Sequence, residues 1–278
     1  MALNLFYITN RPAVALLAER YGVNRIWIDL ETIGKEERQP GNTVKSHHSI
    51  SDIALIKPLL SQSQMLVRVN PWNENSQEEI NAVIDAGADI IMLPYWKTVE
   101  EVQSFLSAVN GRAKTTLLLE TKEAVEIVDE ILKLEFDEIH IGLNDLHLSY
   151  GMTFMFELLS DGTVEKLCKK FKAKGIPYGF GGVARLGKGL LPAEKVIMEH
   201  YRLGSTRAIL SRAFCDIDKC ENIAEVERLF SENMVTLREY EVYCENAGEE
   251  TLLANKQEID IAVRDIVERI RERERVGV

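Results

Sequence analysis

Basic charge is scarce in this chain: 33 Lys and Arg stand against 44 Asp and Glu, for a net charge of −11. A surface of that sign repels phosphate backbones, which excludes nucleic acid as the main partner. Long apolar runs are missing too, and none reaches the length needed to span a bilayer. The opening "MALNLFYITN" lacks the basic start and small-residue cleavage site of a secretory signal, so a cytoplasmic protein is expected. The four cysteines (Cys168, Cys215, Cys220, Cys244) form no CxxC pair and no zinc-like spacing with the five histidines. Reduced thiols follow, each read as a small buried or half-buried hydrophobe. No low-complexity linker divides the chain.

What is present fits a globular enzyme. Hydrophobic residues make up 46% and charged residues 28%, and 278 residues suffice for one large α/β domain or two small ones. Eight short β-rich runs recur, at residues 3–9, 25–31, 65–70, 89–95, 115–120, 138–143, 176–183 and 206–212. Several are apolar on both faces, as in a parallel sheet covered by helices. Between them stand "SQEEINAVIDAGA", "TVEEVQSFLSAV" and "TKEAVEIVDEILKL", with apolar residues at helical spacings of three and four. Eight βα units in roughly 250 residues is the size of a (β/α)8 TIM barrel. A doubly wound sheet is the alternative, but "ITNRPAV" stands after the first strand where that fold carries G-x-G-x-x-G.

The barrel is assigned to residues 1–220 and a C-terminal helical extension to 221–278. In the last helix Leu252, Ile259, Val263, Ile266 and Ile270 form a near-heptad stripe. That stripe either packs on the chain's own barrel or serves as an arm to a neighbouring subunit, and a homo-oligomer is expected. The longest irregular stretch, residues 32–52, follows the second strand and is expected over the barrel mouth.

Active sites of such barrels lie at the carboxyl ends of the strands. The polar residues there are Asp29 and Glu31, Arg68 and Asn70, Tyr95, Glu120, Asn144 and Asp145, then Gly179 to Gly182, Ser211 and Arg212. Glu120 and Asp145 end consecutive strands. Two adjacent carboxylates repel unless one is protonated or a cation lies between them, and a hard divalent ion takes one or two carboxylates. Taken singly, Asp145 reads as a helix N-cap and Glu120 as a first-turn acid. Arg68, inside the apolar "LVRVN", must pair with a buried carboxylate or face an anionic ligand. "GFGGVA" reads either as close packing or as backbone approach to a substrate. His47 and His48 are acid/base candidates if the long loop folds over the mouth. No lysine lies on a predicted strand, which disfavours Schiff-base chemistry.

With these residues in view, the chain resembles the HpcH/HpaI aldolase and citrate lyase β-subunit family of pyruvate- and phosphoenolpyruvate-binding barrels. "WIDLE", "LVRVNPWN", "GADIIMLPYWKTVEEV", "LLLETKEAVEIVDEI" and "DEIHIGLNDLHLSYG" carry the resemblance, from about residue 24 to 215. It implies Glu120 and Asp145 as ligands of Mg²⁺ or Mn²⁺, and Arg68 as the group facing an enolate oxygen. It implies the backbone of Gly142, Leu143, Asn144 and Asp145 as the seat of a substrate carboxylate. The expected activity is metal-dependent carbon–carbon cleavage or formation on a small 2-oxo acid, with Asp29, Glu31 or His47 orienting a proton-carrying water. An acyl-CoA lyase of the malyl, citramalyl or citryl type is the enzymatic alternative, for which Lys35, Arg38 and Lys45 are the available cations. A barrel without turnover, used for binding or assembly, is the non-enzymatic one.

The chain also departs from the family's branches. Thr32 stands where the free-oxo-acid aldolases have a catalytic histidine, and Leu118 where they have a glutamine. "NGRAKTTLLLE" lacks their glycine- and arginine-rich insertion before strand five, and Tyr95 replaces the lysine usual in the citrate-lyase branch.

Overall fold

The computed structural model describes residues 2–35 and 47–276. Eight parallel strands close into a barrel in sequence order: β1 (Asn4–Ile8), β2 (Arg25–Asp29), β3 (Gln64–Arg68), β4 (Ile90–Leu93), β5 (Lys114–Leu119), β6 (Glu138–Ile141), β7 (Tyr178–Val183) and β8 (Arg207–Leu210). The fold is therefore the expected (β/α)8 barrel with C-terminal helices. Each observed strand falls within or beside an apolar run of the sequence. Strand interiors such as Ile26 to Ile28 and Ile90 to Leu93 are buried throughout, because pleated residues alternate between the barrel interior and the helix layer.

The chain forms two compact units, Asn4–His140 and Met1–Leu3 with Ile141–Val278. In the first unit β2 and β3 pair in register, Arg25 against Gln64 through Asp29 against Arg68. That register puts Arg25, Trp27 and Asp29 on one face of β2. Arg25 opens the strand and meets Glu138, which opens β6, in a bidentate pair with contacts of 2.7 and 2.6 Å. Both side chains are buried, and the guanidinium lies 4.6 Å from the Phe6 ring centroid.

Two helices of this unit differ from the sequence expectation. "TKEAVEIVDEILKL" breaks into Lys122–Glu126 and Val128–Ile131, because Ile127 takes φ −99° and ψ 9° between them. At the end of the irregular stretch, Ile50–Ile56 is a helix. Ser49 is its N-cap, and the Ser49 N–H donates to Asp52 Oδ2 at 2.7 Å, the reciprocal half of a capping box. Residues 36–46 lie outside the described residues, and with them the cations Arg38 and Lys45.

In the second unit the glycine-rich β7 is a packing device. Gly181 has φ +52°, and a Cβ there would stand 2.6 Å from Leu143 Cδ1. Gly182 faces β8, and a Cβ would meet the Ile209 carbonyl at 3.4 Å. The two C-terminal helices, Ile223–Glu245 and Glu249–Val276, are joined through residues 246–248. Asn222 caps the first by accepting from Glu225 N at 3.0 Å. Of the heptad stripe, Ile259, Val263 and Ile266 are buried. The helix carrying them packs on this chain's own Ala193–Leu203 and Glu157–Ser160 helices. The apolar period thus has an intrachain reason. Glu241, buried on the first C-terminal helix, accepts from Leu3 N at 2.7 Å, Tyr201 Oη at 3.1 Å and Arg238 Nη1 at 2.6 Å.

Removing one member of a buried ion pair strands the other in a low-dielectric interior. Arg25→Met is expected to cost about 3–5 kcal/mol, whereas Arg25→Met with Glu138→Leu costs less than the single change. Urea unfolding of the two variants beside the parent measures the difference. A double variant less stable than the single one contradicts this account of the pair.

Candidate active site

The carboxyl ends of β2 and β3 carry a buried ionic cluster. Asp29 and Arg68 are Cα partners in the ladder and join side chain to side chain: Arg68 Nε donates to Asp29 Oδ1 and Nη2 to Oδ2, each at 2.8 Å. Arg68 Nη2 also lies 3.2 Å from Glu31 Oε2. Lys35 Nζ reaches Asp29 Oδ2 at 2.7 Å and stands 3.8 Å from Glu31 Oε2. Asp29 and Glu31 are 3% and 2% exposed, so these contacts act in a medium that screens charge poorly. Arg68 lies over the Trp27 ring at 5.2 Å.

Proton affinities follow from this arrangement. Burial pushes the Asp29 carboxyl up, but the charges and hydrogen bonds of Arg68 and Lys35 outweigh it and hold Asp29 well below the usual carboxylate range. Burial likewise works against the charged Arg68, yet Asp29, Glu31 and, more weakly, Glu120 tighten its hold on the proton. Asp29 is thus an anchor for Arg68 and a poor proton acceptor. Of the two loop histidines, His47 is exposed, while His48 sits on the cluster. The Asp29 N–H donates to His48 Nδ1 at 3.0 Å. Burial lowers the His48 proton affinity against the pull of Asp29 and Asp52, and with Nδ1 accepting, the ring presents its N–H at Nε2.

Asn70, two residues beyond β3, holds the turn after β2. Its Oδ1 accepts from Thr32 N at 2.9 Å and Ile33 N at 3.0 Å, and its Nδ2 donates to Glu79 Oε1 at 2.8 Å. This turn delivers Lys35, which sequence reasoning weighed only as a surface cation for CoA. The i, i+4 spacing of Glu31 and Lys35 was the available signal.

Glu120 follows β5 and is 4% exposed. It is not a first-turn acid: Thr121 takes the N-cap of the next helix, accepting from Ala124 N at 3.1 Å, which leaves Glu120 outside the helix. Glu120 Oε1 accepts from Tyr95 N at 3.0 Å. Tyr95 achieves this in the left-handed region, φ 50°, a conformation that costs a non-glycine residue on the order of 1–3 kcal/mol. Lys97 Nζ lies 4.9 Å from its ring centroid.

Asp145 is not an N-cap either. Gly142 holds that position before the Leu143–Ser149 helix, and Asp145 is its third residue, buried, accepting from Asn144 Nδ2 at 3.0 Å. The first N–H groups of a helix, here those of Leu143 and Asn144, have no acceptor within it and suit an anion. Leu143 is fixed by its seat on Gly181. Among the described residues, no group of three or more His, Cys, Asp or Glu side chains gathers to hold a metal ion. Glu120 and Asp145 each carry hard carboxylate oxygens, the donor type of which an ion of the Mg²⁺ kind draws one or two from protein, completing its shell with water and substrate.

A closed parallel barrel with buried charges at the carboxyl ends of its strands is the architecture of a (β/α)8-barrel enzyme. The chain belongs to the HpcH/HpaI aldolase/citrate lyase family, whose model matches residues 3–176. At that level it is a carbon–carbon lyase of the aldolase or citrate lyase type. A solved HpcH/HpaI aldolase/citrate lyase family protein from Burkholderia cenocepacia J2315 shares the fold at 15% identity, with a TM-score of 0.58 over 86% of this chain and 94% of that one. No curated protein matches the sequence. Among the described residues, no helix is long and apolar enough to cross a membrane.

Because its native proton affinity is depressed, Asp29 contributes stability that is complete above its unfolded pKa, about 3.9, and is lost as pH falls toward the native value. The parent is expected to lose stability steadily from about pH 5 to pH 2, and Asp29→Asn to show a shallower slope there. Urea midpoints across that range test this, and equal slopes contradict it.

Proposed function

We propose that this chain is a divalent-metal-dependent lyase that makes or breaks a carbon–carbon bond beside the enolate of a small, pyruvate-like 2-oxo acid. The observation that carries the reading is Arg68. It is a permanent cation at the end of β3, held in one orientation by two contacts to Asp29 and a third to Glu31. A charge fixed in advance stabilises developing negative charge without reorganisation, and such groups contribute about 10²–10³ in rate. Glu120 and Asp145 would hold the metal, as they do by family resemblance. Bound there, Mg²⁺ or Mn²⁺ supplies Lewis acidity toward the oxo acid.

This chain's own groups divide the remaining work. The backbone from Gly142 to Asp145 receives the substrate carboxylate at the start of a helix. Arg68 faces the enolate oxygen. Lys35, with Arg68, holds Asp29 ionised. His48 can donate a hydrogen bond from Nε2–H to a water or substrate oxygen, and it is one of the two loop histidines, with His47, that the sequence offers for acid/base work. The acyl-CoA alternative has less support, because Lys35 is committed to Asp29 and Glu31.

Exchange of the pyruvate methyl protons for deuterium, followed by NMR with and without Mg²⁺ or Mn²⁺, tests the proposal. Metal-dependent exchange is expected in the parent. It is expected to vanish in Glu120→Gln and to fall about 10²–10³-fold in Arg68→Lys, where the two-pronged contact is lost. Exchange that ignores the metal, or survives Glu120→Gln at full rate, sinks the idea.

A further inference from the structure

Asn70 stands two residues beyond Arg68, the last residue of β3, and both ends of its amide are used. Its Nδ2 donates to Glu79 Oε1 at 2.8 Å, and its backbone N–H donates to Glu79 Oε2 at 3.2 Å. Glu79 sits on the Ser76–Asp85 helix, so the acid is held by a regular element. With the NH₂ end committed to a carboxylate, the amide oxygen has to face the other way. There it accepts from Thr32 N at 2.9 Å, Ile33 N at 3.0 Å and Thr32 Oγ1 at 3.2 Å. All of these residues belong to the first unit.

The turn so held runs from Thr32 to Lys35. Lys35 N donates to Thr32 O at 3.4 Å, and Gly34 takes φ +70°, the left-handed conformation that such a turn asks of glycine. Asn70 fixes the start of the turn and the Lys35 N–H closes its end, which sets the point from which the Lys35 side chain departs. That matters because Lys35 is 7% exposed. A lysine ammonium is strongly hydrated and its stem is flexible, so burying it is costly in both solvation and entropy. A backbone set in advance lowers the second cost. At its far end Lys35 Nζ meets Asp29 Oδ2 at 2.7 Å, the same oxygen that Arg68 Nη2 reaches at 2.8 Å. The charge of Asp29 is thereby divided between two cations. Less of the Arg68 charge is then cancelled before it meets an anion in the site.

We infer that Asn70 and Glu79 are positioning residues: together they seat the turn that buries Lys35, and through Lys35 and Asp29 they set the charge that Arg68 presents. The consequence for turnover rests on the lyase reading above, whereas the seating of Lys35 does not.

Brief methylation of lysine amines by formaldehyde and a borane reductant, mapped by peptide mass spectrometry on the full chain, tests the seating directly. In the parent Lys35 is expected to be protected, beside fast labelling of the exposed Lys169 and Lys219. In Asn70→Ala the labelling of Lys35 is expected to rise about tenfold. Lys57, held by Asp89 in the same unit, is expected to keep its rate, which separates a released turn from a lost fold. Asn70→Asp sets two carboxyl groups against each other and is expected to release Lys35 as well. Combining it with Glu79→Gln restores an amide–carboxylate pair in the opposite sense, and protection is expected to return. In the pyruvate exchange assay, Asn70→Ala is expected to lower kcat about tenfold with little change in KM, and the swapped pair to recover it. In a Lys35→Met background, Asn70→Ala is expected to add nothing further, because both changes act through one contact. Equal Lys35 labelling in the parent and Asn70→Ala, a swapped pair no better protected than Asn70→Asp, or full additivity with Lys35→Met overturns the inference. A parent without pyruvate exchange fails the lyase reading instead, and the labelling still decides whether Asn70 and Glu79 seat Lys35.

Discussion

The contact between Asp29 and Arg68 organises the carboxyl ends of the first strands. It joins two residues already paired in the ladder, so backbone register and side-chain charge enforce the same geometry. Glu31 and Lys35 attach to this pair from one turn, and His48 attaches through the Asp29 backbone. Buried ion pairs seldom add stability over a well-packed apolar core, because desolvation offsets the attraction. Here the return is positional: a guanidinium that would swing freely at a surface is confined to one orientation.

Much of this was readable from sequence, for identifiable reasons. The eight strands stood out because residues buried on both faces leave long apolar signatures. Arg68 stood out because a cation inside "LVRVN" needs a reason. Lys35 did not, since it lies in a polar stretch where charge is ordinary and its burial depends on how Asn70 holds the turn. The helix-end roles first available to Glu120 and Asp145 failed for a local reason. Thr121 and Gly142 occupy the capping positions, which no count of acidic residues near a helix start reveals. In β7, two explanations for one glycine run were open. The Leu143 side chain, pressed against Gly181, decides for packing.

Strain and satisfaction are coupled at the end of β4. Tyr95 holds an unfavourable backbone conformation, and the same conformation turns its N–H to the Glu120 carboxylate. A glycine would adopt the angle freely but would lose the ring over which Lys97 lies. Tyr95 is thus also the residue that fixes a buried acid.

The bond from Leu3 N to Glu241 spans 238 residues of sequence. A ribosome releases the first strand long before the helix that carries Glu241 has left the exit tunnel. Until then the Leu3 N–H, one residue before β1, lacks this acceptor. The C-terminal helices therefore do more than pad the outside of a finished domain. They act as a late fastener, and a polypeptide shortened by the last quarter of its length would lose the piece that secures its beginning.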